Sequence, residues 1–266
     1  MDLKMLCKEV CEIVRITGNF IRTERKTFSI SKVEYKGLND LVSYVDKTAE
    51  IQLVNALSTL LPSSGFITEE NTNNTRSVEY NWIIDPLDGT TNFVHGVPCY
   101  CISVALMLKE NLVLGVVYEI NLDECFYAWE KGGAFLNGNK IEVSDENELK
   151  RSLLATGFPY SNYDRMKPYM EVFDYCMYNT HGLRRLGSAA VDLVYVACGR
   201  FEGFYEYGLN AWDVAAGAFI VQEAGGKVSD FSGKSDYIFG KEIIATNSNI
   251  FEEFLEVVKG KFTVSQ

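Results

Sequence analysis

The sequence predicts an α+β half followed by an α/β half. The first observation is helical periodicity in the opening residues and again before residue 62. The second is a set of short runs rich in β-branched and aromatic residues, "WIID", "CISVALML", "LVLGVVYE" and "CFYAW", separated by polar turns. The third is an alternation of short strands and helices after residue 151, which is typical of an α/β arrangement.

Two amphipathic helices are expected in the first half. The second of them follows Asp40 and stops before Pro62, and Asp46 lies one residue off its apolar stripe. In the first helix, the apolar residues recur mainly at three- and four-residue steps: Leu3, Leu6, Cys7, Val10, Ile13, Val14, Phe20 and Ile21.

The four apolar runs are expected to form antiparallel strands under these helices, with a hairpin at Asn137-Gly138. The polar residues 144–151 are the best boundary, which divides one compact unit into halves 1–147 and 148–266. In the second half we expect strands at "LLAT", "EGFYE", "GKVSD" and "EIIAT". Helices are expected at "GSAAVDLVYVACG" and at "AWDVAAGAFIVQEAGG", which ends in two glycines.

Composition and charge exclude several classes of protein. A formal net charge of −11 argues against a general electrostatic grip on nucleic acid or on an anionic membrane. Charged residues interrupt the opening segment, so we expect neither a signal peptide nor a membrane span, and a cytoplasmic location. The odd number of cysteines, seven, predicts free thiols in a reducing compartment.

Five acidic residues stand beside apolar sequence that should be buried: Asp46, Glu69, Asp85, Asp88 and Asp213. A buried carboxylate is costly without a cation, and oxygen-only ligands favour a hard divalent metal such as Mg²⁺. Each acid alone has an ordinary alternative, because it could face solvent, lie in a loop, or occupy the first turn of a helix.

The segment "WIIDPLDGTTNF", residues 82–93, is harder to explain as ordinary structure. Pro86 fixes the chain direction, so Asp85 and Asp88 can converge on one ion. Gly89 and Thr90 expose backbone N–H groups that can bind phosphate oxygens. The alternative is a well-capped turn before a helix.

Five blocks together resemble the inositol monophosphatase family of Mg²⁺-dependent, lithium-sensitive phosphatases, and look more like its bacterial members. Their order and spacing cover nearly the whole chain, and the resemblance implies a layered αβαβα fold. The blocks are "KGLNDLVSYVDKTAE" (36–50), "GFITEE" (65–70), "WIIDPLDGTTNF" (82–93), "LRRLGSAAVDLVYVACGRFEGFYEYGL" (183–209) and "AWDVAAGAFIVQEAGG" (211–226).

The resemblance implies two or three Mg²⁺ ions. Glu69, Asp85 and the backbone carbonyl of Leu87 would hold one ion. A second ion would be held by Asp85, Asp88 and Asp213, with Asp85 as the bridge. A third, weaker ion would lie near Glu69.

The family also implies how water is activated. Thr90 would be hydrogen-bonded to Asp46, and this pair, with Glu69, would orient the attacking water. Glu70, the second acid of its block, would lie outside the metal-binding shell. Departures from the family pattern are Thr68, where glycine is usual, and Ser43, where threonine is common; neither removes a ligand.

Substrate selection is expected from the second half of the chain. Ser188 has an alternative role as a helix N-cap, and the neighbouring Arg184 and Arg185 could contact substrate, a second subunit or only solvent. By resemblance, the residues that line the substrate site are Asp88, Gly89, Thr90, Gly187, Ser188, Ala189, Glu206 and Asp213.

These observations predict a phosphatase for small phosphomonoesters, with inositol-1-phosphate or a related polyol or sugar phosphate as substrate. Alternatives within the same superfamily are phosphatases for 3′-phosphoadenosine 5′-phosphate, fructose-1,6-bisphosphate or NADP. An alternative of another class is a protein that acts through RNA-related regulatory interactions. We expect a homodimer, no membrane partner and no nucleic-acid partner.

Overall fold

The computed structural model describes residues 1–29, 33–35, 41–159 and 162–263. A 3₁₀ turn spans Leu149–Arg151. The helices and strands, in chain order, are α1 (Leu3–Thr27), β1 (Val33–Tyr35), β2 (Leu41–Ser43), α2 (Tyr44–Leu60), β3 (Gly65–Thr68), β4 (Tyr80–Asp88), α3 (Thr90–His95), β5 (Cys101–Leu108), β6 (Asn111–Glu119), β7 (Glu124–Trp129), β8 (Gly133–Leu136), β9 (Asn139–Ile141), β10 (Leu153–Thr156), α4 (Met166–Asn179), β11 (Gly182–Arg184), α5 (Ala189–Ala197), β12 (Gly203–Tyr207), α6 (Ala211–Glu223), β13 (Lys227–Ser229), β14 (Glu242–Thr246) and α7 (Phe251–Thr263).

Two large sheets and three helical layers alternate through the molecule, beside the small two-stranded sheet of β1 and β2. The seven-stranded sheet has the order β3-β4-β5-β6-β7-β8-β9, and the five-stranded sheet has the order β11-β10-β12-β14-β13. Helices α1 and α2 cover the outer face of the first sheet, α5 and α6 lie between the sheets, and α4 and α7 cover the second sheet. This arrangement confirms the layered αβαβα fold.

Strand β4 shows why its sequence is apolar on both faces. Trp82 and Ile84 pack in the cluster formed with α1 and α2, whereas Ile83 packs with α5 and α6. Because side chains alternate across a strand, a sheet covered on both sides has no solvent face. The run "WII" is therefore a central strand, and the acids that follow it begin at the edge of a buried layer.

The structure corrects the expected start of the second helix. Helix α2 begins at Tyr44, because Leu41–Ser43 pair antiparallel with β1 and Ser43 caps the helix. Asp40, the expected start, and residues 36–40 of the first family block lie outside the described residues. The long helix α1, the antiparallel strands β4 to β7 and the helices α5 and α6 are confirmed.

The hairpin at Asn137-Gly138 is also confirmed. Both residues have positive φ, 47° and 90°, as the tight turn between β8 and β9 requires. Residues 144–151 connect the two sheets, although α5 and α6 from the second half share a core with the first sheet. All seven cysteines are free thiols. Among the described residues, no helix combines the length and the apolar character needed to span a bilayer.

Candidate active site

A β-bulge at the end of β4 places two aspartates at the edge of the seven-stranded sheet. Asp85 pairs with Ser103 and Asp88 pairs with Cys101, so β4 has one more residue than β5 in this interval. The Leu87 N–H donates to Asp85 Oδ1 at 2.9 Å. Bulges redirect side chains at strand ends, and this bulge keeps both carboxyl groups on the same rim.

Two further aspartates lie at the N-termini of helices. Asp46 is the third residue of α2 and accepts from Ser43 N–H at 2.9 Å; Asp213 is the third residue of α6 and accepts from Asn210 N–H at 2.7 Å. Both are capping boxes, in which an acid bonds back to the cap residue. Asp213 is therefore an acid in the first turn of a helix, as its ordinary alternative expects, and it also lies in the candidate site.

The N-terminus of α5 holds Asp88 from the other side. Ser188 Oγ and Ala190 N–H donate to Asp88 Oδ2 at 2.7 and 2.8 Å. Ser188 also caps α5, since its hydroxyl accepts from Val191 N–H at 3.4 Å. The N-cap role and contact with a predicted site residue are thus combined in one side chain.

Glu69, Asp85, Asp88 and Asp213 lie close enough to influence one another, and we call them the acid cluster. Burial raises the pKa of Asp85 well above its ordinary value, and the charges of the other three acids and a hydrogen bond with Glu69 raise it further. Burial also raises the pKa of Asp88 to about 6, against hydrogen bonds that lower it. The pKa of Asp213 rises to about 7 through burial and then the charge of Asp88.

Thr90 lies between the acid cluster and α2. Its hydroxyl is 2.8 Å from Asp46 Oδ1 and 3.0 Å from the Leu87 carbonyl oxygen, so the hydrogen bond to Asp46 that the resemblance implies is present. Burial raises the pKa of Asp46, and hydrogen bonds from Ser43 and Thr90 lower it. Asp46 is 1% exposed and therefore does not face solvent.

Gly89 is the N-cap residue of the short helix α3 and has a left-handed conformation, with φ of 93°. An added Cβ would lie 3.0 Å from the Cys99 carbonyl oxygen. Glycine therefore fits this turn, where Asp88 ends the strand and Thr90 starts the helix.

Glu206 lies on β12 and is buried beside the acid cluster. Its pKa is raised to about 8, first by burial and then by the charges of Asp213 and Asp88, with Arg185 acting in the opposite direction. A Cβ on Gly157 would lie 2.1 Å from Glu206 Oε2, so a larger residue at position 157 would displace this carboxyl group.

The predicted substrate residues 187–189 lie next to Asp88. Asn92 on α3 donates to the carbonyl oxygens of Leu186 and Cys99, both at 2.8 Å, and so ties α3 to the loop before α5. Gly187 has φ of 89°, and a Cβ there would lie 3.1 Å from Asn92. Ala189 is buried at the start of α5.

Sequence reasoning missed two buried carboxylates near the site, although both follow a recognised position by four residues. Glu50 follows Asp46 on α2, and Asp192 follows Ser188 on α5. In the described part of the chain, Asp192 Oδ1 has no hydrogen-bond partner. Burial raises its pKa well above the ordinary value, and the charges of Glu206 and Asp88 raise it further. Helical spacing was the available signal.

The donor set fits a hard divalent cation. Its groups are carboxylates and a carbonyl oxygen, and burial raises the pKa values of Asp85, Asp88 and Asp213, so that a bound cation would stabilise their charged forms. Across residues 1–29, 33–35, 41–159 and 162–263, no three acids, histidines or cysteines already surround one point as ligands of an ion do. Binding would therefore require the carboxyl groups to turn towards the ion.

The layered αβαβα fold is shared with solved inositol monophosphatases, and the acids on the rim of its bulged strand fit the class of hydrolases to which those proteins belong. A sequence model of the inositol monophosphatase family matches residues 2–261. The chain belongs to this family of phosphatases.

Its relatives carry two kinds of name. Nus factor SuhB of Pseudomonas aeruginosa is 39% identical over 250 residues, 92% of each chain. Inositol-1-monophosphatase of Mesorhizobium japonicum is 39% identical over 229 residues, 86% of each chain. The crystal structure of extragenic suppressor protein suhB from Bartonella henselae has a TM-score of 0.90 at 36% identity, covering 95% of this chain and 97% of that one.

Two more distant structures of the family contain ions. An IMPase/NADP phosphatase was solved with NADP and Ca²⁺, with a TM-score of 0.84, 25% identity, and coverage of 97% and 96% of the two chains. A staphylococcal inositol monophosphatase-1 was solved as a LiCl-soaked inhibitory complex, with a TM-score of 0.85, 25% identity, and coverage of 97% and 95%. Metal-binding is therefore a property of the family.

Proposed function

We propose that this protein hydrolyses small phosphomonoesters with Mg²⁺, and that inositol-1-phosphate or a related polyol or sugar phosphate is the substrate. The observation that carries the proposal is the clustering of Asp85, Asp88 and Asp213, since burial raises the pKa of each carboxyl group and a bound cation would stabilise its charged form. A protein with net charge −11 would bind an anionic ester through the Mg²⁺ ions that these acids hold, because the ions make the site locally cationic.

Glu69, Asp85 and the Leu87 carbonyl would hold one Mg²⁺, and Asp85, Asp88 and Asp213 a second; a third would lie near Glu69. When bound, these ions would neutralise charge on the phosphoryl group and make water a nucleophile at neutral pH. The capping box of Asp213 and the contacts of Asp88 with α5 restrict both carboxyl groups before any ion arrives.

Thr90 and Asp46 would move a proton from the attacking water. Thr90 Oγ1 would accept a hydrogen bond from water while donating its own proton to Asp46 Oδ1, 2.8 Å away. Asp46 Oδ2 is fixed by Ser43 N–H and Oγ at 2.9 and 2.7 Å, so only Oδ1 is directed at Thr90. Glu69 would orient the same water.

The phosphate would be held by the N–H groups of Gly89 and Thr90, where the chain turns into α3. Its alcohol part would lie towards Gly187, Ser188 and Ala189, with Glu206 accepting hydrogen bonds from ring hydroxyls. The burial of Glu206 supports this role, because a buried acid in the site selects strongly for a ligand that donates to it.

A turnover panel tests the proposal. The purified protein is assayed with Mg²⁺ on inositol-1-phosphate, 3′-phosphoadenosine 5′-phosphate, fructose-1,6-bisphosphate and NADP, and we expect the first to have the highest kcat/KM. Chelation should abolish phosphate release, Mg²⁺ should restore it, and lithium should inhibit it. Full activity in chelator would refute the proposed chemistry, and preference for another ester would correct the substrate.

A second candidate function is a regulatory interaction related to RNA, and the observation that favours it is the similarity to proteins named Nus factor SuhB. The variant Asp88→Asn separates the two functions, because it removes a proposed metal ligand. A biological role that survives without metal-dependent turnover would make interaction the main function. The homodimer and the cytoplasmic location stay predictions.

A further inference from the structure

A fully buried glutamate on α2 holds the loop that follows β3. Glu50 Oε2 accepts from Glu70 N–H at 2.7 Å, and Glu50 Oε1 accepts from Thr72 N–H at 2.8 Å and from Thr72 Oγ1 at 2.7 Å. Glu50 is 0% exposed. Both oxygens of this carboxylate therefore serve one short loop.

The loop begins at the proposed metal ligand Glu69. The Glu69 N–H donates to the Ile84 carbonyl oxygen at 3.3 Å, the last bond of the β3–β4 ladder. Beyond it, the N–H groups of residues 70 and 72 are bound by Glu50 instead of a strand. The sheet therefore fixes the backbone up to Glu69, and the Glu50 carboxylate on α2 fixes the residues that follow.

We propose that Glu50 is a positioning residue that sets the direction of the Glu69 carboxylate for metal binding. This inference rests on the proposed function, in which Glu69 holds Mg²⁺. Glu50 and Asp46 lie one helical turn apart on α2, so one rigid helix places the Glu69 loop and the Thr90–Asp46 pair relative to each other.

Glu119 offers a matched comparison for a purely structural role. It is 1% exposed, and its two oxygens accept from Asn121 Nδ2 at 2.8 Å and Leu122 N–H at 2.5 Å in the turn after β6. That turn carries none of the acids of the acid cluster. A glutamine at either position keeps the shape but replaces one acceptor oxygen by an NH₂ group, which cannot accept from N–H.

The experiment compares wild type, Glu50→Gln and Glu119→Gln without substrate and then with it. Calorimetric titration with Mg²⁺ alone should give a dissociation constant about 10- to 100-fold higher for Glu50→Gln, the usual cost of losing a group that orients a ligand. Glu119→Gln should match wild type. In the metal-free protein, amide hydrogen exchange at residues 70 and 72 should be faster only in Glu50→Gln. In turnover, Mg²⁺ half-saturation should rise without a matching rise in substrate KM.

Equal Mg²⁺ affinity in folded Glu50→Gln and wild type would overturn the inference and leave the proposed function standing. Wild type that binds no Mg²⁺ would overturn both. If Glu50→Gln does not fold, Thr72→Val replaces it: the hydroxyl of this exposed residue contributes one of the three bonds, and a smaller loss of Mg²⁺ affinity is expected. Unchanged affinity and unchanged exchange at residue 70 in Thr72→Val would then refute the role of Glu50.

Discussion

Two groups of buried carboxylates meet at this site, and they are stabilised in different ways. On α2, Asp46 and Glu50 receive hydrogen bonds on both oxygens from backbone N–H groups and hydroxyls. In the acid cluster, the members also receive hydrogen bonds, but Asp85 lies among three other acids whose charges raise its pKa.

The difference separates positioning from binding. A carboxylate whose two oxygens both accept hydrogen bonds from protein groups needs no ligand. Replacing it by an amide leaves at least one of those donors unpaired. Buried acids that lie next to one another need a cation to stabilise their charges, since a buried charge without a partner is costly. Substitutions that remove charge should therefore have opposite effects on stability in the two groups.

Asp85→Asn should have the largest effect. Activity with Mg²⁺ should fall by more than the roughly 100-fold that loss of an outer-shell group costs. The metal-free protein should become more stable at neutral pH, because burial and the neighbouring acids disfavour a charge at this position and asparagine carries none. Urea unfolding in chelator measures the second effect. A less stable variant would break the distinction between the two groups.

Asp46→Asn should show the opposite effect on stability. Asparagine leaves at least one of the donors on Ser43 or Thr90 unpaired, so the free energy of unfolding should fall by about 1–3 kcal/mol. The kcat should fall roughly 100-fold if this acid takes up the proton. Thr90→Val should reproduce the loss of kcat while keeping the bonds from Ser43, and Mg²⁺ affinity should stay near wild type in both variants.

The pH dependence of the metal-free protein sharpens the comparison. The pKa values of Asp88, Asp213 and Glu206 are about 6, 7 and 8, all above those of unfolded carboxyl groups. The folded state then binds more protons than the unfolded state, so stability should fall as pH rises from about 4 to 8. The slope is at most about 1.4 kcal/mol per pH unit for each group. Saturating Mg²⁺ should flatten the curve in urea titrations, and an unchanged curve would contradict cation binding at the cluster.

The fold and part of this site could be predicted because their signals are local. The apolar run before Asp85 and the close spacing of Asp85 and Asp88 indicate a buried strand that ends in acids. Nothing local joins them to Asp213, more than a hundred residues away, so only the family resemblance brought these acids together.

Glu50 shows where local signals fail. Glutamate in a helix is normally exposed, and its partners Glu70 and Thr72 lie 20 and 22 residues further along the chain. The start of α2 was wrong for a related reason: Leu41–Ser43 continue the apolar pattern of the helix, but pair with β1 instead. Tertiary contacts decided both cases.

Glu206→Gln should have the smallest effect, and it tests whether every acid near the cluster serves the metal. Glu206 shares the burial and repulsion of Asp88 and Asp213, yet it is proposed to bind substrate hydroxyls. Its loss should lower kcat/KM for inositol-1-phosphate about 10-fold, the equivalent of one hydrogen bond to a charged group. A phosphomonoester without ring hydroxyls should be hydrolysed as by wild type.

The control for that variant is Glu202→Gln. Glu202 directly precedes β12, its carboxylate accepts from Leu153 N–H at 2.6 Å, and it has no proposed part in the site. This variant should hydrolyse both substrates with the kcat/KM of wild type. An equal loss for both substrates in Glu206→Gln, together with weaker Mg²⁺ binding, would assign Glu206 to the metal. The acids around Asp85 would then have to be treated as one metal-binding group, with substrate selection assigned to the loop before α5.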